Sequence, residues 1–306
     1  MDHHTGKIET TWKDLAKKFG YTSGEAIRSV FKRERTKLGI IKTESKPYCG
    51  KYPRIIVFDL EVTPMLVYTF DLRDNFISPD HVAVDGNLIC WSAKELNDSE
   101  MHNDVLTMSE AKSQDDKRIT ASLWKYLNGA DILIGHNIKS YDIKYMNSRF
   151  IYYGLAPISS YQSIDTLLEA RKYFRFTSNK LSFINKSLGI TEKLSNDGMD
   201  LWIRCMKGFP KALRDMQEYC DGDILATEEL YYRLRPYITG HPNLGLYIET
   251  EDPVCPNCGS AQLIDNGSYY TNANVYNSLR CGRCGALSRE RLASTPPETK
   301  KRLLRN

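Results

Sequence analysis

The chain has 306 residues, enough at roughly 100 to 200 residues per domain for about two domains and a small third. Hydrophobic residues make up 41% and charged residues 26%, a globular balance that excludes a disordered or fibrous protein. No window approaches ~18 consecutive apolar residues and no basic-then-apolar leader opens the sequence, which speaks against a membrane span or a secretory signal and points to a cytoplasm.

The net charge of +4 hides a division. Residues 1 to 54 carry 13 Lys and Arg against 6 Asp and Glu, and residues 280 to 306 carry 8 against 2, which leaves the middle acidic at 21 against 30. Basic ends suit a polyanion, whereas an acidic centre repels one unless its carboxylates hold metal.

Residues 10 to 40 read as two short helices. Thr11 and Asp14 make a capping-box pattern, Trp12, Leu15, Ala16 and Phe19 form an apolar stripe, and Gly20 ends the turn. Ser23 caps a second helix with Ala26, Ile27, Val30 and Phe31 inward and Arg28, Lys32, Arg33, Arg35 and Lys37 outward. Residues 1–45 thus form a basic, helix-turn-helix-like module, fit for a DNA groove or equally for a protein surface. A polar linker runs from Lys42 to Pro53.

From Arg54 the pattern alternates between strands and helices. Ile55-Ile-Val-Phe58 is a buried-strand run continuing into Asp59-Leu-Glu61. Strand period places Asp59 and Glu61 on one face, where two acids at the end of an apolar strand either reach solvent or neutralise a cation. Segments around Leu66–Phe70 and Leu88–Ser92 are expected to pair with it as an antiparallel meander, followed by a helix through Leu123, Trp124 and Leu127. The next strand, Asp131–Gly135, leads through Asn137 and Tyr141 to Asp142 at the start of a helix with Tyr145, Met146 and Phe150. Sites gather at such strand ends, and helix caps do too. A long helix from about Lys211 to Arg235 contains Tyr219-Cys-Asp-Gly-Asp223, in which Tyr219 and Asp223 share a face and Asp221 points to solvent.

Eight cysteines divide into four scattered ones (Cys49, Cys90, Cys205, Cys220) and two C-x2-C pairs, Cys255/Cys258 and Cys281/Cys284, with 22 residues between the pairs. That spacing fits a tetrahedral, structural zinc ribbon over residues 250–292, followed by a basic tail at 293–306. Arg280, Arg283, Arg289 and Arg291 lie near the second pair and Tyr269, Tyr270 and Tyr276 between the pairs. Such a mix suits single-stranded nucleic acid, or the aromatics form the ribbon's own core.

Asp59-x-Glu61, Asn137-x3-Tyr141-Asp142 and Tyr219-x3-Asp223, in that order, resemble the three motifs of the DnaQ-like DEDD exonucleases of the ribonuclease-H-like superfamily, tyrosine subclass. The resemblance covers residues 53–238. Ser163-Ile-Asp165-Thr166, Ala170-Arg-Lys172 and Ser178-Asn-Lys-Leu181 look like the middle helices of family B polymerase proofreading domains and of phage and bacterial exonucleases, some of which carry a C-terminal zinc ribbon. For a phage protein the compartment would be the host cytoplasm.

The resemblance implies an α/β fold, a mixed sheet flanked by helices, and a metal-dependent 3′-to-5′ exonuclease acting on single-stranded DNA or frayed 3′ ends. It implies two Mg²⁺ or Mn²⁺ ions held by Asp59, Glu61, Asp142 and Asp223, with Tyr219 positioning the attacking water; a phenol of reference pKa about 10 is a poor base. Thr63, Asn137 and Tyr141 would border the terminal nucleotide, although Asn137 is also a turn former. Asp165 is either near the substrate or a helix cap. A DNA polymerase or replication complex is the implied protein partner. An exoribonuclease on the same scaffold and a non-catalytic DNA-binding accessory protein are the alternatives.

Overall fold

The computed structural model describes residues 17–18, 52–71, 77–191 and 197–304. The helix-turn-helix expected within residues 1–45 lies outside the described residues, apart from Lys17 and Lys18.

The central strand is β1, Ile55–Val62. Its even residues Ile56, Phe58 and Leu60 enter one core, and Ile55 and Val57 enter a second on the other side of the sheet. A strand that is apolar on both faces belongs in the middle of a sheet covered on both sides. β1 pairs antiparallel with β4 (Leu88–Glu95), which pairs antiparallel with β5 (Met101–Val105). On its other side β1 runs parallel to β6 (Ile132–Gly135), and β6 parallel to β7 (Gln162–Asp165). The sheet order is β5-β4-β1-β6-β7. This is the expected mixed sheet flanked by helices.

Two expectations change. Leu66–Phe70 does not join this sheet: only Leu66–Val67 (β2) is extended, and it pairs with β3 (Val82–Val84) in a separate two-stranded hairpin. Tyr68 and Phe70 stay exposed, so no burial draws the segment onto the main sheet. Residues 163–165, likened with Thr166 to the middle helices, belong to the fifth strand of the sheet, Gln162–Asp165, before helix α4, Thr166–Tyr173.

Helices α1 (Met108–Ser113), α2 (Lys117–Leu127) and α3 (Asp142–Tyr152) precede α4. Next come α5 (Leu181–Leu188), α6 (Met199–Met206) and the 25-residue α7, Pro210–Leu234. α7 serves both cores, with Leu213, Met216 and Cys220 in the first and Ile224, Leu230 and Leu234 in the second. Asp221, expected in solvent, instead accepts from Ser92 Oγ at 2.6 Å, Gln217 Nε2 at 3.1 Å and Asn103 Nδ2 at 2.9 Å, which ties α7 to β4 and β5. A buried Lys94–Glu228 ion pair ties α7 to β4 again about two turns later.

Beyond α7, strands β8 (Leu263–Tyr270), β9 (Val275–Cys281) and β10 (Leu287–Arg289) make an antiparallel sheet of order β10-β9-β8. The ribbon is moored to the main domain by Asn257, whose Nδ2 donates to Arg235 O at 2.9 Å and Ile238 O at 3.0 Å. It thereby adds a side-chain donor to carbonyls just past the end of α7, Arg235 O also accepting from Ile238 N at 3.3 Å. The tail holds a short helix, α8 (Pro297–Arg302). Among the described residues no helix is long and apolar enough to cross a membrane.

Candidate active site

Where the apolar run of β1 stops, the face of Ile55 and Val57 continues as Asp59 and Glu61. β6 pairs with β1 only along Ile55–Val57, so the rest of that edge is open. Asp142, the first residue of α3, fills part of it: its Oδ1 accepts from Leu60 N at 3.2 Å. Gly135 makes this possible, because a Cβ there would meet Ile138 Cγ2 at 2.0 Å and Phe58 O at 2.9 Å.

From the other side α7 delivers Asp223. Carboxylate oxygens of Asp59, Glu61 and Asp223 lie within 4.8 Å of one another. Three carboxylates gathered at a strand end repel, and hard oxygen donors in such a set suit a divalent cation of the magnesium class. Asp142 stands outside that set, 4% exposed, and burial pushes its carboxyl up to about 7 against the N–H groups of Leu60 and its own residue. Tyr219, one turn before Asp223, is 8% exposed and packs edge-on against Trp202 of α6, ring centroids 6.1 Å apart. Cys220 faces Asp59 from within the core.

The remaining candidates divide. Asn137 has a left-handed backbone (φ 72°), a conformation asparagine tolerates, and its N–H donates to Asp165 Oδ1 at 2.9 Å. Asp165 also accepts from Lys139 N at 3.0 Å and from Leu167 N at 3.0 Å, so it caps α4 and pins the 137–139 turn at once. Tyr141 is half-exposed and stacks on Tyr145, centroids 6.1 Å apart. Burial first, then the charges of Asp142, Glu61 and Asp59, push its phenol up. Thr63 is buried, and its hydroxyl accepts from Asn87 N at 2.8 Å. Its side chain therefore closes the base of the β2–β3 hairpin and does not line the cleft expected of it.

That cleft, about 630 Å³, has Asp59 and Asp223 in its wall, with His136, Asn137, Arg171, Asn179 and Lys180 around it. His136 braces it: Nε2 donates to Asn179 O at 3.0 Å, since a carbonyl only accepts. Arg171 and Lys180 are cations beside an acidic centre; no local period marks them as site residues, because α4 and the loop before α5 reach the carboxylates only through the fold.

Residues 88–235 match the family model of the RNase H superfamily. The fold of the domain is ribonuclease-H-like. The matched stretch contains Asp142, Tyr219 and Asp223, while Asp59 and Glu61 lie before it. No curated protein matches the chain. The superfamily supports nuclease-type, metal-dependent chemistry on nucleic acid, which agrees with the carboxylate set of this ribonuclease-H-like domain.

The four ribbon cysteines form a second set, with Sγ atoms within 4.8 Å of one another. Cys255–Cys284 and Cys258–Cys281 sulfurs are 3.7 and 3.6 Å apart. Those separations match the ~3.8 Å edge of a tetrahedron with Zn–S bonds of about 2.3 Å. They are far from the ~2.05 Å of a disulfide. The donor set fits structural zinc.

Proposed function

We propose that the ribonuclease-H-like domain is a 3′-to-5′ exonuclease of the DnaQ-like, tyrosine-type DEDD class, releasing nucleoside monophosphates from single-stranded DNA or frayed 3′ ends. The observation that carries this reading is the convergence of Asp59, Glu61 and Asp223 within 4.8 Å, with Tyr219 one helical turn before Asp223. When bound, two divalent ions supply a hydroxide nucleophile and stabilise the leaving oxygen in an in-line displacement. Asp59, Glu61 and Asp223 would hold one ion, and Asp59 and Asp142 would serve the other. Tyr219, steadied by Trp202, orients the attacking water. Arg171 and Lys180 receive phosphates of the strand behind the terminal nucleotide, where they offset the acids that would repel it. Asn137 and Tyr141 flank that nucleotide. Cys255, Cys258, Cys281 and Cys284 hold a structural zinc.

The choice of DNA follows the resemblance to proofreading domains, as does a replication complex as partner. The test is hydrolysis of 5′-labelled and 3′-labelled DNA and RNA oligonucleotides with Mg²⁺ or Mn²⁺. The reading expects a descending ladder from 5′-labelled DNA and immediate release of label from 3′-labelled DNA. Activity confined to RNA would replace it with an exoribonuclease, and binding without hydrolysis would replace it with an accessory protein.

A further inference from the structure

The ribbon sheet has two unlike faces. Cross-strand pairs share a face, and Tyr269 lies opposite Tyr276, Ile264 opposite Arg280, Arg280 opposite Leu287, and Ser278 opposite Arg289. β9 alternates, so Tyr276, Ser278 and Arg280 point the same way. One face therefore carries Tyr269, Tyr276, Arg280 and Arg289 with Ile264 and Leu287. The contacts agree: the Arg289 guanidinium lies 3.9 Å from the Tyr276 ring centroid and 5.3 Å from that of Tyr269.

The acids of these strands go elsewhere. Asp265 pairs with Leu279, which alternation puts on the opposite face. Glu290 accepts from Asn277 Nδ2 at 2.9 Å, and Asn277 is on that opposite face too. Among the described residues of these strands the result is a face with two cations and no acid, on which Ile264, Leu287 and Tyr269 are 57%, 53% and 49% exposed. The ribbon's core needs none of them, since Cys255, Cys258, Cys281 and Ala286 pack against Leu263. The aromatics are thus not consumed as filling.

We propose that this face is a docking surface for single-stranded nucleic acid, separate from the hydrolytic cleft. Tyr269 offers a ring to a base, a sequence-tolerant contact. Arg289, spread over Tyr276, turns its N–H edges to phosphate oxygens, and Arg280, one of whose Nη atoms donates to Gly285 O at 3.3 Å, supplies a second positive charge on that face. Charge complementarity selects a polyanion over an apolar or acidic partner. The nuclease reading enters only in making nucleic acid the polyanion.

The test uses the full zinc-loaded chain and fluorescein-labelled oligo(dT), without divalent metal or chelator. Arg280→Gln/Arg289→Gln is expected to weaken binding about tenfold and to flatten the dependence of log affinity on log salt by about 0.7 per lost contact. Tyr269→Leu, which keeps an apolar strand residue, is expected to weaken binding with the salt slope unchanged. A 5-iodouracil-substituted oligonucleotide should crosslink to Tyr269. Zinc content by native mass spectrometry and thermal midpoint should match the parent. Parent-like affinity and slope in the charge variant, or crosslinks confined to residues 52–238, would overturn the proposal; so would capture of an acidic protein in place of oligonucleotide. Hydrolysis of the p-nitrophenyl ester of thymidine 5′-monophosphate, too small to span cleft and ribbon, should be unaffected by all three substitutions. If the parent binds through this face yet hydrolyses neither this ester nor DNA, the nuclease reading fails and the docking surface stands.

Discussion

The Cys220 thiol donates toward Asp59, with Sγ 3.7 Å from the carboxylate Oδ2 and 3.7 Å from the same residue's carbonyl. Cys220 is fully buried, and burial holds its thiol well above the usual range, so it remains a donor at neutral pH. It touches Asp59 and not the cleft, which makes it a positioning residue. Cys220→Val should raise the Mg²⁺ concentration for half-maximal hydrolysis several-fold while the folded fraction stays near that of the parent. Cys220→Ser, which restores an X–H donor, should recover part of the loss. A metal titration of activity reads both, and equal half-saturation in parent and valine variant would remove the role.

Asp59→Ala and Asp223→Ala each break the set of three carboxylates. Turnover should fall by about a thousandfold or more, because the metal chemistry and its electrostatic stabilisation go together. Oligonucleotide affinity should stay within about threefold, since the cations of the cleft and ribbon are untouched. Single-turnover hydrolysis and fluorescence anisotropy separate the two quantities.

The parts of this site that sequence makes legible are those with a local period. Alternation along β1 put Asp59 and Glu61 together, helical spacing put Tyr219 beside Asp223, and the paired cysteines announced their cluster. What sequence hides depends on distant segments. Gln162–Asp165 has a single fully apolar residue, Ile164, so nothing in its pattern announces a strand, and only β6 beside it makes it one. Asp221 looked solvated because two of its three partners, Ser92 and Asn103, are more than a hundred residues away. Arg171 and Lys180 enter the cleft for the same reason. Thr63 follows motif I directly, yet the sharp return of the chain at Asn87 takes its hydroxyl.

His241 should make the protein acid-sensitive. It is 7% exposed, its Nδ1 donates to Pro242 O at 2.7 Å, and its Nε2 therefore accepts from Tyr231 Oη at 2.8 Å. Burial first, and the nearby Arg235 charge, hold it down at about 4. The unfolded chain takes up the proton first, so stability is full above about 6.5 and falls as pH drops through the window down to about 4, by roughly 3 kcal/mol. Asp142, whose raised carboxyl takes up its proton in the folded state over the same window, acts in the opposite direction, so the readout is a comparison: in urea unfolding His241→Gln should lose less stability than the parent between pH 7 and pH 4.5.

Asn257→Ala should destabilise by about 1–3 kcal/mol, because the buried Ile238 O loses its side-chain donor and Arg235 O keeps only the 3.3 Å bond from Ile238 N. Cys258→Ser should abolish zinc retention in native mass spectrometry and also lower the thermal midpoint of the whole chain, since the knuckle that carries Asn257 would no longer be fixed. A midpoint equal to the parent's in Cys258→Ser would show the two units to be energetically separate.

α7 has a mechanical corollary. The helix carries Asp223 in its middle and ends against the ribbon, so twelve residues, about 18 Å at 1.5 Å each, separate the cutting point from the mooring. Such a rod does not stretch. A strand held at the cutting point and on the ribbon face beyond the mooring would be kept at a set span, and digestion should change pace once the remaining oligomer is too short to reach the second grip.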